Sequence, residues 1–416
     1  MKRGFYIILA AQFFSALADN ALLFAAIALI KVVDPGCASA ATGECWQTPI
    51  LPAVFAFSYV LLAPFVGPFA DSLPKGRVMF ISNGVKIIGC LAMLIGLPPL
   101  YAYAIVGVGA AMYSPAKYGI LTEYLPLDRL IWANGWMEGL TVAAIIAGAI
   151  LGGYMIGPRF AHVAYHYINM PFADSSLDTS PEAAIVVIFS LYAIAALINI
   201  YIPKVAVDHK LPKRTPLFIL QDFWSSFLRL WRDPLGQVSL AVTTLFWGAG
   251  ATLRLIVLSW GVAALHISQS KATQLTAVVA AGIAIGSVLA ARHVELNRSI
   301  KVLPMGIAMG VTTMIMIFVS NLWLAIFLLL AIGTMAGFFV VPMNALLQHR
   351  GHLLMGAGHS IAVQNFNENI SIFAMQGAYA LMIHGNLKLN TIIVSFGAVV
   401  AVTMYLLYRR HRHDQD

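Results

Sequence analysis

The 416-residue chain is 60% hydrophobic and only 10% charged, with a formal net charge of +8. Soluble domains carry roughly 25% charged residues, so this composition excludes a water-surrounded globule and leaves lipid as the solvent for most of the surface. The basic residues fall in short clusters between apolar segments rather than along one face, which excludes a nucleic-acid partner and reads as membrane topology.

The first apolar run, 5–33, follows the basic segment Met1–Gly4. It is too long for a signal-peptide core and long enough to span a bilayer, which takes about 20 helical residues. Five further runs, 50–72, 77–98, 100–123, 131–157 and 182–203, complete a first set of six. The most polar stretch then runs from Pro203 to Pro234 and holds Lys204, Lys210, Lys213, Arg214, Arg229 and Arg232. A second set of six follows at 236–264, 271–292, 301–320, 322–348, 357–384 and 389–408. The predicted organisation is an all-α membrane protein of twelve transmembrane helices, with bundles over 1–203 and 236–410 and a cytoplasmic linker over 204–235.

Charge fixes the orientation. With both termini in the cytoplasm, the inside segments carry eighteen Lys or Arg, and the outside loops carry four: Lys31, Arg159, Lys271 and Lys388. Short loops rich in Lys and Arg stay inside. Cys37 and Cys45 share an outside loop and are either a disulfide or two free thiols, while Cys90 lies in the third span and reads as a small packing residue.

The two sets of spans also resemble each other. The fourth span reads GVGAAMYSPAKYGIL (107–121) and the tenth GTMAGFFVVPMNALL (333–347), each Gly-rich with one proline. Asn134 and Glu138 stand four apart in the fifth span, as do Gln364 and Glu368 in the eleventh. Two pseudo-symmetric six-helix repeats resemble the major facilitator plan, in which the first, fourth, seventh and tenth spans line a central cavity.

Six charges lie inside predicted spans: Asp19, Lys86, Lys117, Glu138, Arg254 and Glu368. Each costs roughly 2.5–3.5 kcal/mol to insert, so each is either a structural ion-pair partner or a cavity residue. Asp19 and Asn20, Lys117, Arg254 and Asn344 fall on the four cavity-lining spans. Lys86 lies close enough to a span end to snorkel to the interface. The eleventh span carries Gln364, Asn365, Asn367, Glu368 and Asn369, too many polar groups for a lipid-facing helix. Lys117 and Arg254 suit a phosphate, Asp19, Glu138 or Glu368 an ammonium, and Phe13, Phe14, Phe246 and Trp247 an apolar tail. A single-tailed phospholipid and a hydrophobic cationic drug both satisfy that description.

Several runs resemble the lysophospholipid transporter family: AQFFSALADNALLFA (11–25), APFVGPFADSLPKGRVM (63–79), SPAKYGIL (114–121), FWGAGATLR (246–254), VPMNALLQ (341–348) and GAGHSIAVQNFNEN (356–369). The resemblance runs from the first span to the twelfth. It implies transport of lysophospholipids such as lysophosphatidylethanolamine and lysophosphatidylglycerol from the outer to the inner leaflet of a bacterial inner membrane. It also implies a cytoplasmic acyltransferase/acyl-carrier synthetase, here a separate partner, to restore the second chain. In the superfamily loop signature, Gly67 and Asp71 fit but Gly76 follows Asp71 by five residues rather than three; Asp71 and Arg77 are the expected gating pair. A drug or sugar transporter of the same superfamily is the alternative. The residues point to no enzyme and no cofactor: the one His-x4-Asp pair is His411 with Asp416 in the tail, no histidines show metal-ligand spacing, and no phosphate-binding loop occurs.

Overall fold

The computed structural model describes residues 3–34, 47–157, 159–160, 179–205 and 215–411. Cys37 and Cys45 lie outside the described residues, as do Lys210, Lys213 and Arg214. Among the described residues there are thirteen α-helices and no strands. They are α1 (Arg3–Val33), α2 (Gln47–Ser72), α3 (Lys75–Leu94), α4 (Pro99–Tyr124), α5 (Leu130–Met155), α6 (Ser180–Ile200), α7 (Pro216–Arg232), α8 (Pro234–Leu265), α9 (Gln269–His293), α10 (Leu303–Ile315), α11 (Leu322–Met355), α12 (Ala357–His384) and α13 (Leu389–His411).

Ten of these segments are long and apolar enough to cross a membrane. The three others explain themselves. Helices α4 and α12, with 26 and 28 residues, have the length to span. They fall short in hydropathy because one carries Tyr, Pro115 and Lys117 and the other the run Gln364 to Asn369. Helix α7 is amphipathic and lies in the stretch read as a linker. It buries Phe223, Ser226 and Leu230 and exposes Leu217, Leu220 and Trp224.

Local chemistry sets the helix ends. Asp233 caps α8 by accepting from the Gly236 N–H at 2.8 Å, with Pro234 in the first turn. Asn321 caps α11 through the Trp323 and Leu324 amides. Thr179 and Glu182 form a capping box on α6. The break between α11 and α12 falls at Gly356, whose φ of 98° is strained for any residue with a Cβ.

The chain divides into two compact units, residues 1–120 with 143–219 and residues 121–142 with 220–416. The first half of α5 thus groups with the second unit. In the first unit α1 and α3 both pack on α6. Its core joins Leu22, Leu29 and Ile30 to Leu51, Cys90, Met93, Val106, Ile185 and Ile188. In the second unit α8 and α10 both pack on α13. The sixth and twelfth spans therefore hold equivalent places, as a six-plus-six repeat requires.

The α9–α11 contact is the tightest of the second unit. A Cβ on Gly286 would overlap the Thr334 carbonyl and stand 2.8 Å from the Phe338 nitrogen. Small residues let helix backbones meet this closely where no hydrophobic effect drives association. Gly286→Val is expected to destabilise the folded protein by about 1–3 kcal/mol, the usual cost of overpacking. Thermal unfolding of detergent-purified protein checks this; an unchanged midpoint would mean the helices can part without cost.

Candidate functional site

The first unit builds its polar centre on α1, α3 and α6. Lys86 on α3 is 1% exposed, and its Nζ lies 2.8 Å from Oδ1 of Asp19 on α1 and 2.9 Å from Oδ2. The same ammonium donates to Ser15 Oγ at 3.0 Å, and Ser15 donates to Asn83 Oδ1 at 2.9 Å. Tyr192 on α6 donates to Asp19 Oδ1 at 2.7 Å. The Tyr113 and Tyr192 rings stand 4.9 and 5.4 Å from the ammonium. Lys86 is therefore a structural ion-pair partner and does not use the snorkelling route its position allows. A partner carboxylate, a hydroxyl and two aromatic faces replace the water it would otherwise reach for. Gly109 on α4 helps, since a Cβ there would stand 2.7 Å from Lys86 Cγ.

Other predicted residues of this unit lie apart from that pair. Asn20 is partly buried and donates to the Ala16 carbonyl at 2.8 Å. Lys117 on α4 is 7% exposed, with its ammonium 4.3 Å from the Tyr118 ring centre. Phe13 and Phe14 meet edge-on at 5.7 Å on α1.

The second unit brings four predicted residues into one hydrogen-bonded row. Gln364 Nε2 on α12 donates to Glu368 Oε1 at 2.7 Å and to Asn344 Oδ1 on α11 at 2.9 Å. Asn344 Nδ2 reaches Glu138 Oε1 on α5 at 3.4 Å. Asn365 is buried beside this row and contributes its backbone carbonyl to Asn369. One turn away, Asn134 on α5 and Gln348 on α11 exchange two amide hydrogen bonds, at 2.9 and 2.8 Å. Arg254 on α8 is exposed and has no ion-pair partner among the described residues. Phe246, on the same helix, packs edge-on against Trp247 and Phe339.

With this geometry in place, the relatives are informative. The Major Facilitator Superfamily model matches residues 8–376. The lysophospholipid transporter LplT of Serratia proteamaculans (strain 568) is 43% identical over 385 residues, covering 92% of this chain and 89% of that protein. That of Photorhabdus laumondii is 39% identical over 417 residues, covering 100% and 98%. The chain belongs to the LplT family of the major facilitator superfamily. Two solved structures are similar in fold. The fucose transporter FucP in its outward conformation gives a TM-score of 0.68 at 13% identity over 97% of each chain. The human organic anion transporter MFSD10 gives 0.74 at 12% identity over 98% of this chain and 100% of that one.

Within the superfamily plan, Asp71 and Arg77 were the expected gating pair after the second span. Asp71 pairs with Lys75 at 2.6 Å, both groups being buried at 3% and 4% exposure, and Arg77 is exposed. The Lys75 ammonium also donates to the Ala70 carbonyl at 2.8 Å, closing the turn between α2 and α3. Gly76 fits where it stands because a Cβ would lie 2.9 Å from the Asn199 carbonyl oxygen.

Sequence reasoning missed the partners more than the principals. Lys75 lies four residues after Asp71 but across the break at Leu73–Pro74, so helical spacing did not point to it. Gln348, Tyr192, Ser15 and Asn83 carry no charge and gave no signal of their own. A further pair lies where α7 meets α8: Arg350 Nε donates to Asp233 Oδ2 at 3.0 Å, and Arg350 Nη2 to Oδ1. Partial burial pushes the Asp233 carboxyl up, but the bonds from Arg350 and the Gly236 N–H outweigh it and hold the group below its ordinary value. His359 on α12 stands 3.2 Å from Asp222 on α7, and Phe366 packs edge-on against Phe223, so α7 is held to the second unit by named contacts.

Proposed function

We propose that this chain carries lysophospholipids from the outer to the inner leaflet of a bacterial inner membrane, with both termini in the cytoplasm. The observation that carries the reading is the 43% identity to a lysophospholipid transporter over 92% of the chain. The residues support it chemically. Lys117 and Arg254 supply the phosphate-binding charge, with the Arg fork able to take two phosphate oxygens at once. Asn20 and Asn344 add neutral polar contacts on the lining spans. The row of Glu138, Asn344, Gln364 and Glu368, with Asn365 beside it, offers acceptors to an ammonium or glycerol headgroup. The aromatic groups on α1 and α8 are suited to the acyl chain.

The proposed cycle is alternating access with lateral entry of the lipid. Asp19, held by Lys86 in the structure, is the acid that would exchange partners as the headgroup passes. Asp71 and Arg77 would take part in gating, with Lys75 as the partner of Asp71 in this state. A separate cytoplasmic acyltransferase/acyl-carrier synthetase would then consume the product by adding the second chain.

The test is inward movement of labelled lysophosphatidylethanolamine in liposomes, with Arg254→Ala beside the unaltered protein. A charge-assisted hydrogen bond contributes about 1.5–3 kcal/mol, so loss of the guanidinium is expected to slow transport by at least about tenfold. No movement above empty liposomes by folded, unaltered protein would sink the lipid reading in favour of a small-molecule transporter of the same fold. Full activity of the variant would remove Arg254 from the path.

A further inference from the structure

A cavity of about 500 Å³ lies where the end of α7, the start of α8 and the end of α13 meet, lined by Trp231, Arg232, Pro234, Gln237, Arg410 and His411. We propose that it is a binding site for the phosphate headgroup of an intact anionic phospholipid, distinct from the transport path.

Three observations carry this. First, the cavity is lined by two arginines and, among the described residues, by no carboxylate. Arg232 and Arg410 are both exposed and neither has an ion-pair partner among the described residues. The carboxylate next in sequence, Asp233, is committed to Arg350 and to capping α8. Two guanidinium groups from different helices are suited to grip one phosphate from two sides. Second, Trp231 lines the cavity and its buried indole nitrogen has no hydrogen-bond acceptor among the described residues. A buried donor without a partner costs about 1–3 kcal/mol, and a turn of the indole toward the cavity would let a phosphate or glycerol oxygen satisfy it. Third, exposed apolar side chains stand on both helices whose ends form the cavity. Along α7, Leu217, Leu220 and Trp224 are 67%, 46% and 55% exposed on one stripe. On α13, Tyr405 and Leu406 are 50% and 56% exposed about one turn before Arg410.

Those apolar side chains argue for a lipid rather than a soluble phosphate. An amphipathic helix with Trp and Leu on one side and Arg at its end lies in the membrane interface, where basic cavities between helices take anionic headgroups. A soluble phosphate would need the two arginines but neither exposed stripe. The occupant is an intact lipid because the exposed surfaces flank the cavity on both α7 and α13, one for each acyl chain. The site touches none of the residues placed on the transport path.

The experiment is native mass spectrometry of the full-length protein in detergent, with added phosphatidylglycerol, phosphatidylcholine or inorganic phosphate. The unaltered protein is expected to retain phosphatidylglycerol in preference to phosphatidylcholine. Each arginine near an anionic surface contributes about 1 kcal/mol, or roughly fivefold, so Arg232→Gln with Arg410→Gln is expected to weaken retention about thirtyfold. Trp231→Phe keeps both charges and the ring packing, and is expected to weaken it severalfold by removing the N–H. Equal retention of the two lipids by the unaltered protein would overturn the proposal. So would undiminished phosphatidylglycerol binding in the charge variant or, where that variant does not fold, in Trp231→Phe and Arg410→Gln alone. Displacement of the lipid by millimolar inorganic phosphate would assign the cavity to a free anion and overturn the lipid reading.

Discussion

Lys86→Met is expected to destabilise the protein more than any other single substitution in the first unit, and Asp19→Asn with Lys86→Met to recover most of the loss. The ammonium and the carboxylate meet at 2.8 Å with Lys86 only 1% exposed. Removing one partner of a buried pair typically costs about 3–5 kcal/mol, because the other charge is stranded, whereas neutralising both can be nearly neutral. Methionine keeps the length and apolar stem of lysine, so packing against Tyr113 and Tyr192 survives and the charge is what changes. Tyr192 and Ser15 cannot rescue a lone Asp19, since a hydroxyl supplies a hydrogen bond but no countercharge. The measurement is the unfolding midpoint of the three proteins by size exclusion after heating. The double variant is expected to fold and yet fail in transport, because the acid proposed to exchange partners is gone. Equal midpoints for Lys86→Met and the double variant would show that the two groups do not depend on each other.

How far this architecture is legible in the sequence follows from which interactions leave a linear trace. Helices of about 20 apolar residues leave a strong one, because the bilayer forces every backbone group into the helix. The linker helix α7 leaves a weaker one. Its buried residues Phe223, Ser226 and Leu230 repeat at helical spacing, but the basic residues before it and in its last turn read as a loop. Charges within spans also stand out singly, which is how Asp19, Lys117, Glu138, Arg254 and Glu368 were found. Their partners do not stand out. Lys86 was read as structural and able to snorkel from its distance to a span end; only the third dimension places it against a carboxylate 67 residues away. The same holds for Gln348, paired with an amide 214 residues distant. Asp71 and Arg77 were given gating roles by analogy with a loop signature that this chain breaks at Gly76. The displaced glycine accompanies a local partner, Lys75, across the turn between α2 and α3. Position in a span was thus readable, and identity of the contact was not.

Gln364 offers the sharpest test of the second unit. Its amide nitrogen gives one hydrogen to Asn344 Oδ1 and the other to Glu368 Oε1, so both of its donors point at acceptors. Asn344 passes the arrangement on, donating to Glu138. The row therefore reads carboxylate, amide, amide, carboxylate, and its three hydrogen bonds run from an amide toward an acid or another amide oxygen. Gln364→Leu removes both donors with little change in volume and leaves two buried acceptors short of one bond each. That is expected to cost about 1–3 kcal/mol. Gln364→Glu is nearly isosteric with the native residue but sets an acceptor against two acceptors, one of them a carboxylate. Its expected cost is larger, about 3–5 kcal/mol, the range for an uncompensated buried charge. The ordering is the informative result: a conservative change in shape should do more harm than a change from polar to apolar. Unfolding midpoints of the two variants measure stability, and lysophosphatidylethanolamine movement in liposomes measures function. If Gln364→Glu proves as stable as the unaltered protein, the amide does not hold its donors between Asn344 and Glu368. The row would then lose the orientation that makes it a headgroup acceptor.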